Sequence, residues 1–369
     1  MKKFIITAGI LILSGYTGVC QIPTQDKLAL EIPQANTYST NGISSYVKEH
    51  FSSDSNRVRA LFVWVSNNIS YDVEKLRAKN QQGKATINDV LKTRKAVCQG
   101  YSELFVALCN ECNIRAIFVP GYTKLPNGSL ADLSHAWVAA EINKKWYLFD
   151  PTWAAGSVKD YQFTRNFSNR YYNLLPEEMI KDHMPFDPMY QFMNYPFMYD
   201  EFNKGSTSIN TSKPFFNYAD TISLYNSLDT LNQFISSARR INRNGEKNQM
   251  IYEMVQVLNK NQQSGESKIG FDEAATQFKQ AINLFNRYID YKNKRFSSIK
   301  NEEIQQMIDS VLLHIKTAYS MLAPVISNSE ENKRALQNIN SDLSKFYARV
   351  EEENTFLKTY LQNGKAVRK

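Results

Sequence analysis

The spacing of apolar residues changes along the chain from a helical period to an alternating one and then back to a helical period. Within residues 47–72 the apolar side chains recur at helical intervals through Val58, Leu61, Phe62 and Val65. This spacing predicts helical structure in that stretch, because one face of an α-helix repeats every three to four positions.

A second helix is predicted to begin at Cys98, and alternating strands are predicted after it. The apolar residues that follow Cys98 at helical intervals define one buried face, made by Tyr101, Leu104, Phe105, Leu108, Cys109 and Cys112. Cys98 is therefore expected at the amino end of a largely buried helix. Residues 115–122, 135–142 and 146–150 then read as strands, with a tight turn at 143–145. A helix followed by consecutive antiparallel strands is an α+β arrangement.

The second half of the chain has a different character. Residues 151–214 are rich in aromatic side chains, proline and methionine, and we expect them to wrap the preceding core. From Tyr218 onward the chain carries amphipathic helical stripes at 222–238, 278–288, 304–322 and 336–350. Each stripe needs a partner surface, so this region is predicted to be an all-α helical bundle.

The first twenty residues have the features of a secretory signal peptide. Lys2 and Lys3 precede an apolar run at 4–13, and a short segment of small residues ends at Cys20. We expect cleavage after Cys20 and a secreted or periplasmic protein. Anchoring as a lipoprotein through Cys20 is disfavoured, because Val19 is a poor fit to the small residue that such a site requires.

Composition excludes several classes of protein. The chain has 369 residues, of which 43% are hydrophobic and 22% are charged, as in globular proteins with more than one core. The net charge of +8 is spread along the chain without a dense basic block, so no nucleic-acid partner is expected. The apolar run at 4–13 is too short to span a membrane. Cys109 and Cys112 have no second ligand pair nearby, so no metal site is predicted there.

Cys98, His135 and Asp150 are the candidate catalytic residues. Thiol catalysis needs a thiolate, a base that forms it and a third group that holds the base in the correct tautomer. The positive potential at a helix amino terminus favours the thiolate of Cys98. The backbone N–H of Cys98 is a candidate hydrogen-bond donor to an oxyanion. Counting across the turn at 143–145 pairs Asp150 with Val138, so contact between Asp150 and His135 requires a bulge or a different turn.

Three motifs resemble those of the transglutaminase-like superfamily, whose papain-like fold uses a Cys–His–Asp triad. They lie at 97–101 (VCQGY), 134–137 (SHAW) and 146–153 (WYLFDPTW). The resemblance implies that Cys98 is the nucleophile, His135 the base and Asp150 the residue that orients it. It also implies that Trp64 and Tyr71 lie near the site, although core packing is an alternative for both.

A narrower resemblance covers the segment after these motifs. Residues 172–177 (YNLLPE), 183–185 (HMP) and Gln191 are similar to the segment that follows the catalytic domain in kyphoscoliosis-peptidase-like proteins. The candidates to line the cleft or bind the oxyanion are Trp64, Tyr71, Gln99 and His183. A structural role is the alternative for His183.

The combined interpretation is an exported cysteine hydrolase that cleaves an amide bond in a peptide or protein through a thioester, without metal or organic cofactor. A cell-wall peptide is one candidate substrate. The predicted domains are a signal peptide (1–20), an arm (21–42), a transglutaminase-like core (43–155), an aromatic-rich extension (156–215) and the bundle (216–369). Two alternatives stay open: a protein-glutamine acyltransferase, and a catalytically silent scaffold that binds a protein partner through its bundle.

Overall fold

The structure is a computed structural model that describes residues 23–78, 85–297, 299–325 and 330–363. The predicted signal peptide, with its cleavage site at Cys20, lies outside the described residues. The chain divides into two compact units, the first ending at Met184 and the second beginning at Pro185. Each unit has its own hydrophobic core. The division falls within the stretch predicted as an aromatic-rich extension, and the wrapping of the core by that stretch stays a prediction.

The first unit begins with ordered helices where the composition suggested an irregular arm. Ala29 is fully buried in the core, and the carboxylate of Asp26 forms an ion pair with Arg59. The helical period predicted within 47–72 is confirmed, but it belongs to two helices, because Ser53 follows an extended break and caps a new helix by accepting a hydrogen bond from the N–H of Asn56. The elements are α1 (Thr24–Leu30), the 3-10 helix η1 (Gln34–Tyr38), α2 (Thr40–His50) and α3 (Asp54–Asn68).

The helix predicted to begin at Cys98 is confirmed and lies in the core of the first unit. It packs against α2, α3 and the main sheet, and the ring of Phe105 lies 6.0 Å from Phe62 and 5.7 Å from Phe149. The short strands that precede it pair in parallel, with Tyr71 opposite Ala96. These elements are β1 (Ser70–Tyr71), α4 (Val73–Arg77), α5 (Ile87–Thr93), β2 (Lys95–Ala96) and α6 (Cys98–Glu111).

The main sheet has the strand order β5–β4–β3–β8, which confirms the α+β prediction. The strands are β3 (Ala116–Thr123), β4 (His135–Ile142), β5 (Lys145–Phe149) and β8 (His183–Pro185), with the central hairpins antiparallel. The predicted three-residue turn is wrong. Asn143 and Lys144, with φ angles of 52° and 63°, form a two-residue turn, and Lys145 already pairs with Ile142. Positive φ at both central residues is the signature of a tight hairpin turn whose twist matches the strands.

This shorter turn decides the face on which Asp150 lies. It pairs Phe149 with Val138, so Asp150 follows opposite Trp137 and not opposite Val138. Side chains alternate between the two faces of a sheet, and a shift of one residue moves a side chain to the other face. Asp150 therefore shares a face with His135.

The remainder of the first unit consists of short elements that follow Asp150. A small hairpin begins at Gly156, which pairs with Arg165. There φ is 154°, and an added Cβ would lie 2.1 Å from the carbonyl oxygen of Thr164. The bounds are α7 (Pro151–Ala155), β6 (Gly156–Lys159), β7 (Gln162–Arg165) and α8 (Pro176–Met179).

The second unit is helical, in agreement with the predicted bundle. The stripe at 304–322 is confirmed, since Ile304, Ile308 and Val311 are fully buried along it. The stripe at 222–238 is not continuous, because Asp229 caps a new helix by accepting from the N–H of Asn232. Its elements are η2 (Pro188–Gln191), α9 (Tyr199–Asn203), α10 (Tyr218–Ser227), α11 (Thr230–Arg243), α12 (Gln249–Asn293), α13 (Asn301–Leu322) and α14 (Glu330–Asn363).

Within the described ranges, every helix falls short of the length or the apolarity that crossing a bilayer requires.

Candidate active site

Cys98 is the first residue of α6, directly after an extended Val97. Cys98 is half-buried, whereas Cys109 on the same helix and Cys112 at its C-cap are fully buried. The first N–H groups of a helix have no intrahelical partner and carry positive potential, which favours an anion beside them. Burial raises the pKa of Cys109 well above its usual value and that of Cys112 to about 11, so both stay protonated near neutral pH.

His135, the first residue of β4, contacts Asp150 through one ring nitrogen. Its Nε2 lies 2.7 Å from Oδ2 of Asp150, and the two side chains are 10% and 0% exposed. The contact leaves Nδ1 of His135 as the nitrogen for a second partner. The neighbouring Cys98 side chain is one of the causes that raise the pKa of His135. The structure thus brings His135 and Asp150, two of the three predicted catalytic residues, into direct contact.

Asp150 is held in place by the start of α7. Its Oδ1 accepts hydrogen bonds from the backbone N–H groups of Thr152 at 2.8 Å and Trp153 at 3.1 Å, so it is the N-cap of that helix. Its own N–H donates to the carbonyl of Tyr171. One carboxylate oxygen therefore serves the backbone, and the other is left for imidazole.

The charges of His135 and Asp150 stabilise each other inside the protein. Burial opposes the charged form of His135, but the negative charge of Asp150, their hydrogen bond and the neighbouring Cys98 outweigh it and raise the pKa of His135 to about 10. Burial likewise disfavours ionised Asp150, but His135 and a second histidine, His183, hold its pKa well below the usual range. The arrangement favours an imidazolium paired with a carboxylate.

His183, a candidate cleft residue from the sequence, also contacts Asp150. Its Nε2 is 3.3 Å from Oδ2 of Asp150, the same oxygen that His135 contacts, and its Nδ1 is 2.6 Å from Oδ1 of Asp182. The side chain is fully buried. Asp182 also accepts a hydrogen bond from the hydroxyl of Tyr171 and lies 3.6 Å from Arg170.

The other candidates occupy different places. Tyr71 lies near Cys98, because it pairs with Ala96, two residues before Cys98. Burial, with the charges of Cys98 and Asp150, raises the pKa of Tyr71 above its usual range. Trp64 is buried in the core, with the guanidinium of Arg94 5.2 Å from its ring. Gln99 donates a hydrogen bond to Glu103 along the surface of α6.

Sequence reasoning missed the aromatic shell around the two histidines. The ring of Trp153 lies 5.3 Å from His135 and 4.7 Å from His183, while Trp137 and Tyr171 lie 5.0 Å and 5.1 Å from His183. Trp137 and Trp153 lie two and three residues after His135 and Asp150, so their positions in the motifs were the available signal. These rings exclude water from the ion pair, which strengthens its electrostatic interactions.

The same two histidines and Asp150 have the composition of a metal site. Their nearest ligand atoms lie within 4.8 Å of one another. Both Nε2 atoms, however, lie at hydrogen-bonding distance from one oxygen of Asp150, and a cation would have to replace both N–H protons. We therefore assign the cluster as a hydrogen-bonded network.

Comparison with known proteins relates part of the chain to one family. Residues 42–151 match the sequence profile of the transglutaminase-like superfamily. The chain is 33% identical over 164 residues to the kyphoscoliosis peptidase of Mus musculus, covering 42% of the chain and 24% of the relative. It is 30% identical over 178 residues to the kyphoscoliosis peptidase of Homo sapiens, covering 45% and 27%. The match thus spans about a quarter of the length of these relatives.

A solved structure, the crystal structure of a TGase, is also similar, with 21% identity, a TM-score of 0.27 and coverage of 42% of this chain and 40% of that one. The profile match spans the helix of Cys98, the strand of His135 and the residue Asp150. Residues 42–151 of this chain therefore form a transglutaminase-like domain.

Proposed function

We propose that this protein is a transglutaminase-like cysteine hydrolase that cleaves an amide bond in a peptide or protein. The observation that carries the proposal is the contact of 2.7 Å between Nε2 of His135 and buried Asp150, with Cys98 at the amino end of α6. A thiol, a base and an orienting carboxylate in this order are the parts that thiol catalysis requires. The name of the kyphoscoliosis peptidases supports peptide-bond hydrolysis.

Each residue has one chemical task in this reaction. His135 takes the thiol proton of Cys98, and the thiolate attacks the carbonyl carbon of the substrate amide. The oxyanion that forms accepts a hydrogen bond from the backbone N–H of Cys98. The imidazolium of His135 then protonates the leaving amine, and a thioester on Cys98 remains. Water, deprotonated by His135, attacks the thioester, releases the acid and regenerates the thiol.

Hydrolysis and acyl transfer share this thioester and differ in the second nucleophile. Transfer needs an amine that outcompetes water, which requires a pocket that shields the thioester. Incubation with an acyl donor and excess of a lysine-mimicking amine, followed by quantification of acid and amide, separates the two. We expect acid to dominate. Amide formation that depends on Cys98 would assign an acyltransferase.

The reactivity of Cys98 tests the proposal without knowledge of the substrate. Native protein is treated with iodoacetamide near neutral pH, and the labelling of each cysteine is followed by mass spectrometry. Cys98 should react faster than Cys109 and Cys112, because it lies at a helix terminus beside His135 whereas the other two are buried. The matched variant His135→Gln should slow labelling of Cys98 and leave Cys109 unchanged.

Equal labelling of all three thiols in folded protein, or a Cys98 rate unaffected by His135→Gln, would contradict the proposal. The substrate class is then sought by profiling peptide mixtures and cell-wall fragments by mass spectrometry, with Cys98→Ala as the inactive control. Export of the protein to a secreted or periplasmic location is part of the proposal and rests on the sequence of residues 1–20.

A further inference from the structure

Asp150 serves two imidazoles, and the proposed reaction uses one of them. Oδ2 of Asp150 lies 2.7 Å from Nε2 of His135 and 3.3 Å from Nε2 of His183. His183 is fully buried, so it does not line a cleft. Burial of polar groups is unfavourable unless they are paired, and here each nitrogen of His183 faces a carboxylate. Packing alone does not require these two contacts.

We infer that His183 is a positioning residue that shares the carboxylate of Asp150 with His135 and so limits the basicity of His135. This inference rests on the proposed function, since it concerns the base of that reaction. The hydrogen bonds form one series, from His135 through Asp150 and His183 to Asp182.

The protons on His183 follow from its two partners. A neutral imidazole donates through one nitrogen and presents a lone pair at the other. In this site the second nitrogen would then face a carboxylate oxygen, whichever tautomer formed. Both contacts are attractive at once when both nitrogens carry protons. In that form His183 places a positive charge beside Asp150 and opposes a second positive charge on His135, whose ring lies 5.7 Å away.

The groups around His183 agree with this assignment. Asp150 and Asp182 contact its nitrogens, and Tyr171, Trp153 and Trp137 enclose its ring. Asp182 is in turn held by the hydroxyl of Tyr171 and by partly exposed Arg170. Asp182 is thus held in place near the surface, and through its hydrogen bond it orients His183 against Asp150.

The expected consequence of removing His183 is a more basic His135. Without the second donor, the full negative charge of Asp150 acts on His135, and the repulsion by a neighbouring imidazolium is lost. An opposite charge at contact distance shifts a pKa by 1–3 units in typical cases. Since His183 is at 3.3 Å and shares the oxygen, we expect the pKa of His135 to rise by about one unit in His183→Phe. If the neutral ring of His135 is more basic, its imidazolium is a weaker acid for the leaving amine, so kcat should fall by up to about tenfold.

Histidine NMR tests the inference directly. The chain contains four histidines, so selective isotope labelling gives four ring signals that single substitutions assign. The titration of His135 is followed in the wild type, in His183→Phe and in the conservative His183→Gln, which keeps one donor without a charge. His50→Phe is the matched control, because the ring of His50 stacks on Tyr46 at the surface. Labelling of Cys98 with iodoacetamide is measured on the same samples across pH.

A rise in the His135 midpoint in His183→Phe, a smaller rise in His183→Gln and no change in His50→Phe are the expected results. The pH at which the labelling rate of Cys98 changes, as His135 loses its proton, should rise together with the His135 midpoint. An unchanged His135 midpoint in both folded His183 variants would overturn the inference and leave His183 a packing residue. If His183→Phe does not fold, His183→Gln alone decides. Failure of the proposed function shows separately, as a Cys98 that reacts no faster than Cys109 in the wild type.

Discussion

The substitution Asp150→Asn separates the chemical role of Asp150 from its structural role. Oδ1 of Asp150 accepts from two backbone N–H groups, and Oδ2 faces Nε2 of His135. Asparagine has one oxygen and one amide nitrogen. Because the two N–H groups need an acceptor, the oxygen should take the Oδ1 position, and the amide N–H should point at His135. His135 would then accept at Nε2 and carry its proton on Nδ1, where it cannot take the proton of Cys98.

The magnitude follows from this change of tautomer. A base held in the wrong tautomer lowers kcat by about 10⁴-fold in hydrolases that use such a triad. That loss corresponds to about 5 kcal/mol of transition-state stabilisation. Asparagine caps helices as well as aspartate does, so α7 should keep its first turn and the protein should stay folded.

The assay compares turnover of the identified substrate and iodoacetamide labelling of Cys98 in the wild type and in Asp150→Asn. Circular dichroism and thermal unfolding establish that the variant is folded. Asp229→Asn is the matched control, because Asp229 caps α11 in the same way and lies outside the site. Undiminished turnover in a folded Asp150→Asn variant would refute the role given to Asp150.

Three further predictions concern stability and processing. The ion pair should make the wild type more stable than His135→Gln. This difference in the free energy of unfolding should be largest from about pH 4 to 6.5. It should decline as pH rises towards about 10, where folded His135 loses its proton, and also as pH falls below the usual aspartate range; urea unfolding at several pH values measures both. Gly156→Ala should lower the free energy of unfolding by at least about 2 kcal/mol, because its Cβ would meet a backbone oxygen; Gly128→Ala, with open space around it, should cost about 1 kcal/mol. Protein secreted from its native host should begin at Gln21, and a lipid-modified amino-terminal Cys20 would contradict the predicted cleavage.

The order of the helices and strands around the site could be predicted from the sequence, whereas their exact boundaries and turns could not. The strand at 135–142 and the helix at Cys98 were predicted, because each has an uninterrupted apolar period. The turn at Asn143 was predicted one residue too long, because the positive φ angles that permit a two-residue turn leave a weak signal in an Asn–Lys pair. That single residue moves Asp150 from the wrong face of the sheet to the face of His135.

Helix breaks and long-range pairs were the other limits. New helices begin after the caps at Ser53 and Asp229, but the apolar stripes continue on both sides of each cap. Periodicity alone therefore does not show where one helix ends and the next begins. His183 is 33 residues from Asp150, and the alignment of β8 beside β3 that brings them together depends on the whole sheet. Its partner Asp182 carries no motif of its own.

The double use of Asp150 has a practical consequence for capturing substrates. A bait protein for affinity capture must bind its target and fail to process it. Alanine at position 150 would remove the cap of α7 together with the chemistry, so such a bait would bind poorly for reasons unrelated to catalysis. Cys98 is half-buried at the end of a helix whose remaining residues keep their packing, so Cys98→Ala should leave the binding surface as it is in the active protein. Capture experiments should therefore be built on position 98.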